Sequence, residues 1–249
     1  MPAVIQALMA AEATVSGGGG GTNAKAIDGS AGNKFSSASS GTVTLTTTQA
    51  NDVVILLVHN EKNASAQTVS TVTSPHLTWA RRTAQAWTDT GASSTKENME
   101  IWWAHAGAAL SSEVITVTLS GAIDDASMVA FGVSGSPSPS SPWDANGSVP
   151  GFANYTGAES ASPVTVSGIS TNSSVPTAIG FMASAGAGNF NTITPPSGFT
   201  VILSEINAGG TNFSISEGIY ENFTSALSGA SFSATGDFSD FGMVIDALA

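Results

Sequence analysis

Three histidines are the residues of this 249-residue chain best suited to zinc binding. His59 and His105 each end an apolar run of strand length, and His76 follows a proline. A zinc site would need these imidazoles to converge with a carboxylate. Histidines at strand ends and in loops are instead expected to face solvent, so the sequence predicts no zinc site.

Two pairs of aspartates are candidates for calcium binding. Asp124 and Asp125 are adjacent, and Asp237 lies close to Asp240. An EF-hand loop spaces its oxygen ligands regularly along the chain, and neither pair has that spacing. Aspartate is also frequent in turns, because its side chain accepts hydrogen bonds from nearby backbone. We predict turns here, with neither metal nor cofactor bound.

Serine is abundant, yet no Gly-x-Ser-x-Gly elbow with a supporting histidine occurs. Carboxylate pairs for glycoside hydrolysis depend on separation in space, and nothing in the sequence favours them. We therefore predict a protein that is not an enzyme and has no catalytic residue, with a glycan-degrading sandwich as the enzyme alternative. Asn-x-Ser/Thr triplets such as Asn222–Thr224 are expected by chance in so Ser/Thr-rich a chain.

Five tryptophans could offer flat faces for stacking on sugar rings: Trp79, Trp87, Trp102, Trp103 and Trp143. Adjacent residues of a strand point to opposite faces, so at least one of Trp102 and Trp103 is expected in the core. We predict that most of the five pack in the core. Trp87, beside a polar loop over residues 88–98, is the best candidate for an exposed platform.

The elements that must position these residues are short strands. Residues 42–46 and 114–119 alternate between two kinds of side chain, the pattern of a strand with two different faces. Residues 53–58 are continuously apolar, as in a strand buried on both faces. Residues 99–135 hold three such runs separated by turn residues. The pattern predicts an all-β protein with antiparallel strands.

Composition and charge exclude several classes of protein. Hydrophobic residues make up 41% of the chain and charged residues only 10%, and there is no cysteine for a disulfide or a zinc-thiolate site. The net charge is −12, and all six lysines and arginines lie before residue 97. The charged residues of positions 97–249 are all aspartate or glutamate, so binding to nucleic acid or to an anionic membrane is not expected.

The N-terminal residues 1–41 differ from the rest of the chain. Residues 3–11 are apolar except for Gln6, which interrupts the run, and no basic residue precedes them, so we expect no cleavable signal peptide. Residues 17–21 are five consecutive glycines, and the positions up to 40 remain small and polar. We predict an edge strand near residues 2–6 followed by a Gly/Ser-rich arm.

Residues 42–249 are predicted to form a single β-sandwich domain built from two pseudo-repeated halves. The order of runs in residues 42–135 recurs in residues 161–249, with a proline-rich crossover over 136–160. Two such halves are expected to supply the two sheets of one jelly-roll-like sandwich.

Several blocks of this sequence resemble a diffuse group of β-sandwich domains in phage virion proteins and bacterial surface proteins. The blocks are residues 50–58, 69–73, 77–79, 100–104, 114–121, 126–128, 133–135 and 142–144. The group includes head decorations, head fibres and tail fibres. The resemblance covers residues 3–6 and 42–249, and the glycine-rich insert at 16–41 departs from it. It implies a structural role and brings no catalytic residues.

The resemblance and the exclusions together predict a non-enzymatic structural protein of a phage or phage-like virion, made in the host cytoplasm. A capsid decoration or head-fibre component, docking through its N-terminal part, is favoured. Its expected partners are other virion proteins and further copies of itself, because sandwiches expose sheet edges that need covering. The alternative is a carbohydrate-binding or host-adhesion module of a tail fibre, a baseplate or a cell surface.

Overall fold

The computed structural model describes residues 25–63, 65, 67–90, 95–160, 163–186, 193–207, 213–236 and 238–249. Within these ranges the chain forms sixteen β-strands and no helix that could span a membrane. The first eight strands are β1 (Ala26–Ser36), β2 (Ser40–Leu45), β3 (Asp52–Lys62), β4 (Val69–Thr73), β5 (Ala80–Thr88), β6 (Lys96–Ala106), β7 (Glu113–Leu119) and β8 (Asp125–Ser134). The other eight are β9 (Gly151–Ser160), β10 (Val164–Ile169), β11 (Thr177–Gly186), β12 (Ile193–Thr194), β13 (Thr200–Asn207), β14 (Phe213–Asn222), β15 (Ala230–Gly236) and β16 (Phe238–Leu248).

The strands of each half form one five-stranded and one three-stranded sheet. The first half has the orders β1-β8-β3-β6-β5 and β2-β7-β4. The second half has β9-β16-β11-β14-β13 and β10-β15-β12, which is the same order with every number raised by eight. All strand pairings are antiparallel, and successive strands mostly alternate between the two sheets, as in a jelly roll. The predicted all-β, antiparallel sandwich class is confirmed.

The number of layers differs from the expectation, because each half forms a sandwich of its own. Leu45 and Ile115 of the small sheet pack with Leu56 of the large sheet in the core of the first half. The second half has a separate core of the same kind. A third core, which includes Phe131 and Phe181, lies between the two five-stranded sheets. The molecule therefore has four sheet layers, with three, five, five and three strands.

Strand β3 explains why the large sheets pack on both faces. Val54, Leu56 and Val58 point into the first sandwich, whereas Ile55 and Leu57 point toward the second half. All of them are fully buried, which confirms the prediction for residues 53–58. A strand that is apolar on both faces must be covered twice, here by a small sheet and by the other large sheet.

Two strands lie where the sequence predicts an arm or a crossover. Residues 26–36, assigned to the arm, form β1 and pair with β8. Residues 151–160, assigned to the crossover, form β9 and pair with β16. Each is an edge strand of its sheet and consists largely of small and polar residues, so neither shows a strong strand pattern. The remainder of the arm, residues 1–24 with the five glycines, lies outside the described residues.

The segment around Trp87 is also more regular than predicted. Of the expected polar loop over residues 88–98, Thr88 belongs to β5 and residues 96–98 belong to β6. This places Trp87 and Glu97 opposite each other as a pair in the antiparallel ladder.

Candidate functional site

The joint between the two five-stranded sheets gathers chemically capable side chains into one place. Part of this joint is apolar, with the rings of Phe131 and Phe181 stacked 6.4 Å apart. Another part holds fully buried polar residues from both halves: His59, Glu97, Ser127, Ser214, Ser216 and Asp240. We call these six residues the polar joint.

The polar joint is a continuous chain of hydrogen bonds across the two halves. The hydroxyl of Ser216 lies 2.8 Å from that of Ser127, which lies 2.9 Å from the hydroxyl of Ser214. Ser214 Oγ is 2.9 Å from His59 Nδ1, and His59 Nε2 is 3.0 Å from Glu97 Oε2. The histidine and glutamate come from β3 and β6, while Ser214 comes from β14, so these bonds connect the two sandwiches.

Burial keeps the histidine and glutamate of this chain uncharged. Desolvation lowers the pKa of His59 to about 4, against the opposing effect of the Asp240 charge. Desolvation also raises the pKa of Glu97 to about 8, although hydrogen bonds from Thr95 and Asp240 act in the other direction. At neutral pH the contact therefore joins a neutral imidazole to a protonated carboxyl group, not two ions.

A serine, a histidine and an acid in contact are the groups of a hydrolase triad. Ser214, His59 and Glu97 are each fully buried, so no substrate carbonyl can reach the hydroxyl in this conformation. The oxygen of Ser214 is also engaged by Ser127. The arrangement satisfies buried polar atoms and holds the halves in register, which is a structural role.

Nothing in the local sequence indicates this constellation. Ser214 lies 155 positions from His59, and Glu97 lies 38 positions from it. The expectation that His59 faces solvent is wrong, because β3 continues beyond the apolar run to Lys62 and carries the histidine into the joint. The only available signal was that the buried strand could continue a few residues beyond its apolar run.

Trp87 is buried, which corrects its prediction as an exposed sugar platform. Only 6% of its surface is accessible, and its ring stacks 5.8 Å from His59 and lies 6.0 Å from Phe152. It therefore covers the polar joint from the edge of the first sheet. The indole ring of Trp87 packs closely on Gly242, since a Cβ added to this glycine would lie 2.6 Å from the ring.

The other four tryptophans are half-buried against the cores. Trp103 packs edge-on against Trp143 at 6.3 Å, within the joint between the halves. Trp79 and Trp102 pack against the core of the first sandwich, as expected for most of the set. The indole of Trp102 donates to Glu100 at 3.1 Å.

Among the described residues, no group of three or more histidine or acidic side chains is placed to hold a metal ion. His76 is exposed and pairs with Glu113 at 2.7 Å, while His105 is half-buried. Asp124 accepts a hydrogen bond from the backbone of Asn63 and pairs with Lys62, as expected for a turn residue. Asp125 is buried and accepts from the hydroxyl of Ser36 and the amide of Asn207. Asp240 is buried in the polar joint, and Asp237 lies outside the described residues.

Ion pairs connect the halves at two further points. Arg82 of β5 binds the carboxylate of Asp246 of β16 through two bonds of 2.7 and 3.0 Å, and its guanidinium also lies over the ring of Trp143. Lys34 of β1 lies 3.9 Å from Glu205 of β13 and donates to the carbonyl of Ile206. Each basic residue comes from the first half and each acid from the second.

A separate pair of aspartates lies at one end of the first sandwich. Asp28 accepts hydrogen bonds from the backbone of Thr48 and Gln49, at 2.8 and 2.6 Å. Burial alone would raise the pKa of Asp28, but these bonds outweigh it and lower the pKa. Burial and the neighbouring Asp28 raise the pKa of Asp52 to about 7. The sequence did not single out this pair.

No known protein family, curated protein or solved structure matches this chain.

Proposed function

We propose that this chain is a non-enzymatic structural protein of a phage or phage-like virion. A capsid decoration or head-fibre component, docking through its N-terminal part, fits best. The observation that carries the proposal is the burial of Ser214, His59 and Glu97 between the two sandwiches. There these groups hold the two halves together by hydrogen bonds, which fits a structural protein.

The four-layer architecture supports the same role. Three apolar cores and a buried hydrogen-bonded joint unite the two sandwiches, so the protein offers a rigid body with two outer small sheets. Exposed apolar residues are scattered, with Val114, Val175, Val201 and Ile206 the large ones among the described positions. Single exposed apolar residues are normal on a protein surface and mark no docking patch, so the proposal places docking on the N-terminal part.

Docking is assigned to residues 1–24, because residues 26–36 belong to the first sheet. The test compares virions of a producing strain that carries either the intact gene or a deletion of residues 2–24. Mass spectrometry should detect the intact chain in purified particles, whereas the shortened chain should be absent from them. Absence of the intact chain from particles would refute the structural role, and equal incorporation of both forms would refute docking through this segment.

Homo-oligomers are part of the proposal, because β1, β5, β9 and β13 are edge strands of the large sheets. Light scattering of the purified protein should give a mass above that of one chain. A stable monomer at high concentration would oppose self-assembly.

The alternative, a carbohydrate-binding or host-adhesion module, is favoured by Trp102. This indole is half-buried beside β5, and Glu100 Oε2 accepts from both its Nε1 and, at 3.5 Å, the half-exposed Arg81. An aromatic face beside a guanidinium and a carboxylate can stack on a sugar ring and bind its hydroxyls. Glycan-array binding that is lost in Trp102→Ala but kept in Trp143→Ala would support adhesion, and an empty array would count against it.

A further inference from the structure

We propose that the joint between the two sandwiches is a proton-dependent fastener, which is closed while a row of buried carboxyl groups holds protons and opens in alkaline solution. The row consists of Asp125 of β8, Glu61 of β3 and Glu97 of β6, and all three residues are buried. Glu61 lies directly opposite each of the other two in the antiparallel ladders. The proposal concerns the union of the two halves and is independent of the virion role.

Contacts around the row show that it faces the second half of the molecule. His59, two residues before Glu61 on β3, contacts Ser214 of β14. Because side chains alternate between the two faces of a strand, Glu61 points to the same face as His59. Glu97 contacts His59 as well, and Asp125 accepts a hydrogen bond from a side-chain amide of β13. All three carboxyl groups therefore lie on the joint face of the first large sheet.

The spacing of the row does not allow three negative charges. Side chains that lie directly opposite in an antiparallel ladder have Cβ atoms about 4.5–5.5 Å apart, and like charges there repel. Burial adds to the cost of each charge, so the closed joint favours protonated carboxyl groups. Burial raises the pKa of Glu97 to about 8, and the charge of Asp89 acts in the same direction. Burial also raises the pKa of Asp125, although a bond from Ser36 opposes it.

The second half and β3 bring no positive charge to the row. Burial keeps His59 neutral, and Asp240 of β16 adds a further acid to the joint. Strand β14 contributes the hydroxyls of Ser214 and Ser216, which are not ionised. Protons, rather than cations, are left to balance the acids of the joint.

The basic residues near the row are directed elsewhere. Lys34 of β1 is half-exposed and pairs with Glu205 of β13 at the edge of the joint. Lys62 and Lys96 are the chain neighbours of Glu61 and Glu97, and by alternation they point to the opposite face of the sheet. No lysine or arginine occurs after residue 96.

Separation of the large sheets is the smallest change that hydrates the row. It exposes the joint face and leaves the core of each sandwich closed. If the pKa of Glu97 returns from about 8 to its ordinary 4.5 on opening, the open form is favoured about tenfold more at pH 9 than at pH 7. His59 acts in the opposite direction, but only below its ordinary pKa of 6.5, so pH 7 is a suitable reference.

The test exploits the absence of cysteine from the chain. Ala183→Cys places a single thiol in the core between the large sheets, and Ala130→Cys places one in the core of the first sandwich, at equally buried positions. Labelling by a methanethiosulfonate reagent is measured at pH 7 and pH 9, and each rate is divided by that of the same variant unfolded in urea. The relative rate at position 183 should rise at least about tenfold at pH 9, and that at position 130 should not change.

Two glutamine variants, each combined with Ala183→Cys, identify the groups responsible. Glu97→Gln should reduce the pH response by about tenfold, because an amide does not titrate. Glu217→Gln is the matched control, since burial raises the pKa of Glu217 to about 7, yet this residue points away from the joint face that carries Ser216. Its pH response should equal that of Ala183→Cys alone.

Circular dichroism at both pH values verifies that each variant is folded. A relative labelling rate at position 183 that does not change with pH would overturn the proposal. An equal rise at positions 183 and 130 would also overturn it, because the whole molecule would then be opening. A full pH response in folded Glu97→Gln would refute the role of the acidic row.

Discussion

At the scale of single residues, His59 is the most informative side chain. Its neutral imidazole contacts Ser214 and Glu97, stacks on Trp87 and feels the charge of Asp240. Because burial disfavours the charged form, the folded protein resists protonation of His59 until the pH is near 4. The unfolded chain binds that proton at an ordinary histidine pKa, so acid favours unfolding through this group.

A His59→Asn variant should therefore lose less stability in acid than at neutral pH. At pH 7.5 the variant lacks the imidazole contacts and is destabilised. At pH 4.5 protonation of His59 in the unfolded chain lowers the free energy of unfolding of the wild type by about 2 to 3 kcal/mol. The difference in unfolding free energy between the wild type and the variant should shrink by that amount. Urea denaturation at both pH values measures it. The exposed His76→Asn variant is the control, and a difference for His59→Asn that does not change with pH would contradict the prediction.

Glu217 and Glu100 form a natural comparison, because they lie on β14 and β6, which hold corresponding places in the two sheet orders. Glu100 accepts from Val69 N, Asn98 Nδ2 and Trp102 Nε1. Glu217 Oε1 has no partner, and burial raises the pKa of Glu217 to about 7 despite a bond from Ser204. The Glu100 carboxylate therefore has three hydrogen-bond donors, whereas one oxygen of Glu217 has none.

Glu217→Gln should stabilise the protein at pH 7.5 and change little at pH 4.5. The stability that protonated Glu217 provides is complete below its unfolded pKa of 4.5 and is lost as the pH rises toward 7. The amide avoids this loss, so the expected gain is about 2 to 3 kcal/mol at pH 7.5. Glu100→Gln should instead destabilise, because an amide cannot accept all of those bonds. Chemical denaturation of both variants checks the contrast, and a Glu217→Gln variant less stable than wild type would refute it.

At the scale of elements, the strands with an apolar face were predictable and the edge strands were not. Residues 69–73 and 114–119 match β4 and β7 almost residue for residue, since each has one buried face. Strands β1 and β9 occupy corresponding sheet edges and bury few large side chains, so their small and polar residues resemble a loop. The polar end of β3 escaped prediction for a different reason, because Ser214, the partner of His59 Nδ1, comes from the other half of the chain.

Strand β16 depends on a glycine at the point where Trp87 crosses it. A methyl group at Gly242 would lie 2.6 to 3.0 Å from three ring atoms of Trp87, which is itself fixed by His59 and Phe152. Gly242→Ala should destabilise by about 1 to 3 kcal/mol through overpacking.

Gly147→Ala is the matched control for this variant, because nothing lies within 4 Å of its Cβ position. In a Trp87→Leu background, Gly242→Ala should cost less than it does in the wild type if the ring clash is the cause. Thermal melting of Gly242→Ala, Gly147→Ala, Trp87→Leu and the Gly242→Ala/Trp87→Leu double variant measures this, and equal melting temperatures for Gly242→Ala and the wild type would contradict the close packing.

At the scale of the whole molecule, the uneven charge of the sequence has a structural counterpart. Residues 97–249 contain no lysine or arginine, so any ion pair between the halves must take its cation from the first. Arg82–Asp246 and Lys34–Glu205 are two such pairs. The repeated order of runs indicates two halves, but it does not reveal the number of layers. An apolar run such as residues 53–58 fits one sandwich or a stack of two equally well, and only the contacts between halves distinguish them.

Arg82 should contribute more to this union than its neighbour Arg81. Asp246 is nearly inaccessible, and Arg82→Met would leave that acid without its bidentate partner, at a cost of about 3 kcal/mol. Arg81→Met should cost less than about 1 kcal/mol, since Arg81 is half-exposed and Glu100 keeps its other donors. Urea denaturation of both variants measures the difference, and equal losses would contradict the assignment.

The same variants test whether the two sandwiches unfold as one unit. All five tryptophans lie at or before residue 143, so tryptophan fluorescence reports on the first half, the crossover and the joint between the halves, where Trp87, Trp103 and Trp143 pack. Far-UV circular dichroism reports on the strands of both halves. The third core buries apolar side chains of both large sheets, so a half-unfolded molecule would expose that apolar surface to water. We expect the two signals to coincide in the wild type and in Arg81→Met. In Arg82→Met the fluorescence transition should separate from the circular dichroism transition, because weakening the joint lets one sandwich unfold before the other. Separate transitions in the wild type would mean that each sandwich is stable alone and that the joint contributes little.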